Sequence, residues 1–137
     1  MERKALKVLF VCVENAGRSQ MAEAFANHYG QGKLSATSAG IQLAPEVNPV
    51  VVAAMKEKGI DISHAQPKML TVQMANASDL VVTMGCGAAD ICPGPFFTET
   101  VDWGLEDPKG QPLEKVREIR DEIERRVKEL IAQKAPT

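Results

Sequence analysis

Residues 8–25, VLFVCVENAGRSQMAEAF, constrain the fold more than any other stretch, because a buried strand and a helix meet there across one short loop. Val8, Leu9, Phe10 and Val11 form an unbroken apolar run, the pattern of a strand covered on both faces in a parallel sheet. From Arg18 onward, Met21, Ala22, Phe25 and Ala26 recur at helical spacing, so residues 13–17 make a tight loop that feeds a helix N-terminus. Cys12 falls at the carboxyl end of the strand. A loop of this kind turns backbone N–H groups inward, and these donors together with the positive end of the helix dipole form an anion site. A cysteine facing that site is favoured as the thiolate. Arg18 adds a planar fork of donors suited to a tetrahedral oxyanion.

A cysteine that ends an apolar strand is more often a small core residue than a nucleophile. A cysteine, five residues and an arginine also recur by chance. The ordered set decides the matter, since each residue has a separate job. Asn15 tolerates positive φ, Gly17 removes a side chain where the backbone approaches the anion, and the Ser19 hydroxyl can donate to sulfur. The candidate nucleophile is therefore Cys12, in an oxyanion-binding loop made of Val13, Glu14, Asn15, Ala16, Gly17, Arg18 and Ser19.

The remaining elements follow from local signals. Leu34 to Ser38 reads as a second strand ending at Ala39-Gly40. Asn48 caps a helix that has Pro49 at its first position, runs over Val50 to Lys58 and stops at Gly59. Asp61, Ser63 and His64 lie in a polar loop, Thr71 caps a short helix through Ala77, and Asp79 opens a strand over Leu80 to Met84. A fourth strand is expected between Thr98 and Trp103. Leu113, Val116, Ile119, Ile123, Val127 and Leu130 mark a long amphipathic helix, and Lys134 to Thr137 reads as a frayed tail. Strands alternating with helices predict a parallel sheet flanked by helices, an α/β fold, within one domain over residues 1–137.

A net charge of -2 supplies no basic field, so neither nucleic acid nor an anionic membrane is expected as a partner. Lys7 interrupts the N-terminal apolar run and Glu14 ends it before any cleavage site, which points to a cytoplasmic protein and, by expectation, a monomer. Three cysteines favour catalytic or redox thiols over a disulfide framework. Metal binding is not expected, because no CxxC pair exists and only His28 and His64 could complete a zinc set. Two further features bear on chemistry. Asp107 precedes Pro108 near the end of the sheet, where a loop could carry it over the oxyanion pocket, although an Asp-Pro turn alone is common. Asp102 and Glu106 compete with it and read as solvated. Cys86 and Cys92 follow the third strand, at the sheet edge that Cys12 occupies if the strands are parallel.

The loop, its RSQMAEAF continuation and the later SAG resemble the low-molecular-weight protein tyrosine phosphatases and the arsenate reductases built on the same scaffold. The resemblance implies four parallel strands in the order 2-1-3-4 and makes Asp107 the general acid. It also implies a redox pair in Cys86 and Cys92, which favours the reductase branch. On that reading Cys12 attacks arsenate, Arg18 and the loop hold it, and Cys86 and Cys92 relay a disulfide to an external thiol reductant, thioredoxin or a low-molecular-weight thiol system. No tightly bound cofactor is implied, and arsenate or a phosphate-like oxyanion is the small-molecule partner. Some relatives bind a monovalent cation beside the loop asparagine through residues matching Glu23 and Ser38; Lys68 stands where an acidic ligand is expected, and its ammonium could replace the cation. Two alternatives remain. One is a phosphotyrosine phosphatase, against which Lys109 and Gly110 stand where aromatic residues usually follow the DP aspartate. The other is a non-catalytic oxyanion-binding or redox-sensing module.

Overall fold

The computed structural model describes residues 5–84 and 100–134. Cys86 and Cys92 lie outside the described residues. The apolar run becomes β1, Leu6–Cys12, two residues longer at its start than the run alone implies, because Leu6 pairs with Leu34 and Lys7 with Ser35 on the neighbouring strand. It continues through the loop into α1, Arg18–Tyr29. β2 is Leu34–Gly40, β3 Leu80–Thr83 and β4 Thr100–Asp102, all parallel, in the order β2-β1-β3-β4. β3 stops one residue short of the expected Met84, yet the Met84 N–H still donates to Val11 O at 2.9 Å.

Burial on both faces explains the unbroken apolar run of β1. Val8, Phe10 and Cys12 point into the larger core with Met21, Phe25, Ile123 and Val127. Leu9 and Val11 point the other way, onto Ala39, Ala75 and Val81. Alternate side chains of a strand leave on opposite faces, so the register that buries Phe10 also commits Cys12 to the same side.

α2, Pro49–Lys56, starts as expected, with the Asn48 side chain accepting from the Val50 N–H at 2.9 Å and proline in the first turn. It ends at Lys56 and not Lys58. The chain closes there because the Ile60 N–H reaches back to Met55 O and Gly59 adopts a φ of +77°, the left-handed closure that ends many helices at glycine. α3, Val72–Asn76, is capped by the Thr71 hydroxyl, which accepts from the Met74 N–H. α4, Leu113–Lys134, packs its stripe of Val116, Ile119, Ile123, Val127 and Leu130 into the larger core against α1 and α2. Each such side chain contributes about 1.5–3 kcal/mol on burial. Parallel strands bring the carboxyl ends of β1, β3 and β4 to one edge of the sheet, and Cys12 is the last residue of β1 at that edge.

Candidate active site

The loop after β1 is held from outside by its carbonyl groups. Val13 O accepts from the N–H groups of Ile41 and Gln42, Glu14 O from Ala44, Ala16 O from Asn48 and Gly17 O from Met21, all at 2.9–3.2 Å. Asn15 O accepts from the Gln20 side chain at 3.1 Å. In a planar trans peptide the following N–H points opposite to the carbonyl, so these bonds turn the N–H groups of Glu14 to Arg18 inward. Among the described residues, none of those N–H groups donates to a protein acceptor. The result is a ring of donors with room for an anion.

Two residues make this loop shape possible. Asn15 takes a φ of +53°, a left-handed conformation that asparagine tolerates better than most residues. Gly40 at the end of β2 lies against the loop so closely that a Cβ there would come within 2.8 Å of Asn15 N and Val13 O.

The Cys12 sulfur is buried and lies 2.8 Å from the Ser19 hydroxyl oxygen. Ser19 in turn accepts from Asn15 Nδ2 at 2.7 Å. The orientation of the Asn15 amide is fixed, because its Oδ1 accepts from the Lys68 backbone N–H at 2.7 Å and from Gln20 Nε2 at 3.1 Å. Ser19 accepts there and keeps its own proton available for a sulfur that can only accept.

Arg18 is buried at the first position of α1. Both protons of Nη1 are taken by backbone carbonyls, those of Met84 and, at 2.9 Å, Leu105. This leaves the Nε and Nη2 edge of the guanidinium for a ligand, the edge that binds an oxyanion in bidentate fashion. Nη2 lies 3.8 Å from Asp107 Oδ2, and the Asp107 side chain is half exposed. Its other oxygen accepts from the Lys109 N–H at 3.0 Å, so Asp107 forms the turn around Pro108 and faces Arg18 at once. Cys12, Glu14, Ala16, Gly17, Arg18 and Asp107 line one cavity of about 150 Å3.

Gly17 owes its absence of a side chain to Pro108, not only to an anion. A Cβ at position 17 would stand 2.7 Å from Pro108 Cγ, so glycine here lets the Asp107 turn approach the loop. Asp102 and Glu106 are elsewhere: Asp102 accepts from the Thr83 hydroxyl and Glu106 pairs with Lys115. The Lys68 ammonium lies 3.4 Å from Glu23 Oε1, the same oxygen that accepts from the Ser38 hydroxyl at 2.7 Å. His28 and His64 are exposed and away from the cavity.

Gln20 escaped notice in the sequence, although it is 2% exposed and its amide donates to Asn15 O, Asn15 Oδ1 and Gln66 O. The sequence offers only its place between Ser19 and the apolar pair Met21 and Ala22, and its burial appears only in the fold. The pairing of Glu14 with Lys109 at 3.1 Å was likewise not foreseen.

Fold and site together define an α/β protein that presents a cysteine to a loop of inward-turned N–H groups at the end of a parallel strand. The chain belongs to the low molecular weight phosphotyrosine protein phosphatase family, whose sequence profile matches residues 7–135. It is 42% identical over 128 residues to a protein of Synechocystis sp. named glutaredoxin arsenate reductase, covering 92% of this chain and 96% of the relative. It superimposes with a TM-score of 0.84 on the structure of an arsenate reductase in the phosphate binding state, at 42% identity over 93% of this chain and 98% of the other. A thioredoxin-dependent arsenate reductase of Corynebacterium glutamicum gives a TM-score of 0.78 at 42% identity over 95% of this chain, which spans 62% of that protein's chain.

Proposed function

We propose that the protein reduces arsenate to arsenite, using Cys12 as nucleophile. The observation that carries this reading is the convergence of Cys12, Arg18 and Asp107 on one cavity whose floor is the N–H-rich loop. Similarity to proteins named arsenate reductase favours reduction over hydrolysis as the outcome.

The Cys12 thiolate attacks arsenic, and an oxygen leaves as water after taking the proton of Asp107. The loop N–H groups and the free edge of Arg18 stabilise the charge that builds on the remaining oxygens. A second thiol, Cys86, attacks Cys12 sulfur; the sulfur–arsenic bond breaks, its electron pair stays on arsenic, and arsenite departs. Cys92 then attacks Cys86, regenerating the Cys12 thiolate and forming a Cys86–Cys92 disulfide. An external thiol reductant, thioredoxin or a low-molecular-weight thiol system, supplies the two electrons that reopen it.

Among the described residues no helix is long and apolar enough to cross a membrane. We place the activity in the cytoplasm, in a monomer, with no nucleic acid or membrane partner.

The test is to supply arsenate with thioredoxin, thioredoxin reductase and NADPH, and separately an aryl phosphate. NADPH oxidation that requires arsenate is the expected result. Ester hydrolysis without arsenite would make the protein a phosphatase, and arsenate binding without electron flow would make it a binding or sensing module.

A further inference from the structure

Glu14 is an unusual occupant of an oxyanion loop, since a carboxylate beside the bound anion opposes it. Its backbone is fixed, because Glu14 O accepts from the Ala44 N–H. Its side chain is one-quarter exposed, and its two carboxylate oxygens lie 3.1 and 3.4 Å from Lys109 Nζ. Lys109 is itself anchored at its backbone, because its N–H donates to Asp107 Oδ1. The ion pair therefore ties the loop that carries Cys12 to the turn that carries Asp107, across 95 residues of sequence.

The charge balance around the cavity gives the pair its consequence. Among the described residues three carboxylates line it, from Glu14, Glu46 and Asp107, against the two cations Arg18 and Lys109. Without Lys109, Arg18 alone would face all three. An exposed ion pair contributes little to folding stability. Beside a charged ligand the same pair matters more, because the ligand experiences the uncancelled charge directly.

We propose that Lys109 is a specificity residue. It neutralises Glu14 so that the loop accepts a small tetrahedral anion, and the bridge between the two loops narrows the mouth against an anion carrying a ring. Lys109 acts through Glu14 and makes no contact with the anion. The inference rests on the reading of residues 13–19 as an oxyanion site, and it is tested by binding alone, so its failure is separable from a failure of arsenate reduction.

The experiment is calorimetric titration of the reduced full-length protein with inorganic phosphate and with phenylphosphonate. Lys109→Ala is expected to weaken phosphate binding roughly three- to tenfold at low ionic strength, and less at high salt. Adding Glu14→Gln should restore phosphate binding, and Lys109→Arg, which keeps the charge, should retain it. The double variant should also bind phenylphosphonate more tightly than the parent does. Phosphate binding by Lys109→Ala equal to that of the parent at low ionic strength would overturn the proposal. A loss that persists in the double variant would do the same by making Lys109 a direct ligand, and unchanged phenylphosphonate affinity in the double variant would remove the selectivity role.

Discussion

The Ser19 hydroxyl oxygen stands 2.8 Å from Cys12 Sγ and accepts from the Asn15 amide at 2.7 Å, so its own proton is available to a Cys12 thiolate. A hydrogen bond to a charged group is worth about 1.5–3 kcal/mol, or roughly 10- to 100-fold in rate when it serves the reacting form. Ser19→Ala is expected to lower arsenate turnover, and alkylation of Cys12 by iodoacetamide at neutral pH, by that order while the fold persists. Alkylation at the parental rate would mean that the serine does not support the thiolate.

Asp107→Asn should slow the first chemical step by about 10²- to 10⁴-fold, the usual range for a positioned general acid, with phosphate affinity nearly retained. Gly17→Ala should slow the same step without touching either reacting group, because its Cβ would displace Pro108 and with it the Asp107 turn. Single-turnover rate set against phosphate affinity makes the comparison. Weakened affinity with an unchanged single-turnover rate in Asp107→Asn would reduce that residue to a structural part.

Cys86 and Cys92 are six residues apart, which on a regular helix is about 9 Å along the axis and beyond the span of a disulfide. Cys92→Ser should release arsenite once and stall with Cys12 joined to Cys86. Peptide mapping after one turnover reads this out; sustained thioredoxin-linked turnover by the variant would take Cys92 out of the relay.

Hydrogen bonds from Arg117 and Arg120 hold the Glu57 carboxyl at about 2, well below its ordinary 4.5. A carboxylate lowered in the folded state contributes stability above the unfolded value, and that contribution is lost as pH falls. The window here runs from about 4.5 down to about 2. Glu57→Gln should flatten the acid side of the stability curve in that window, and part of the slope should survive because Glu122 is also held at about 2 by Arg125 and Arg126. Chemical denaturation at several pH values checks this, and an unchanged slope would show the Glu57 pair to be without effect.

The parts of the structure legible in the sequence were those carried by local pattern. The run Val8 to Val11 showed a doubly covered strand, Asn48-Pro49 a helix start, and the stripe from Val116 to Leu130 the face of α4. The strand order came from resemblance, since periodicity says nothing about which strands are neighbours. What stayed hidden depends on residues far apart in the chain. Arg18 is oriented by the carbonyls of Met84 and Leu105, Gln20 reaches Gln66, and Glu14 meets Lys109. Gly17 was readable as a residue without a side chain, but the neighbour that requires it, Pro108, was not.

The most direct measurement is rapid quenching of the reduced protein with one equivalent of arsenate, followed by arsenite quantification and mass analysis of the Cys12 peptide, for the parent and for Cys12→Ser. The parent is predicted to form one arsenite per chain as Cys12 enters a disulfide, and the variant none. Arsenite formation by Cys12→Ser at the parental yield would contradict nucleophilic attack by Cys12.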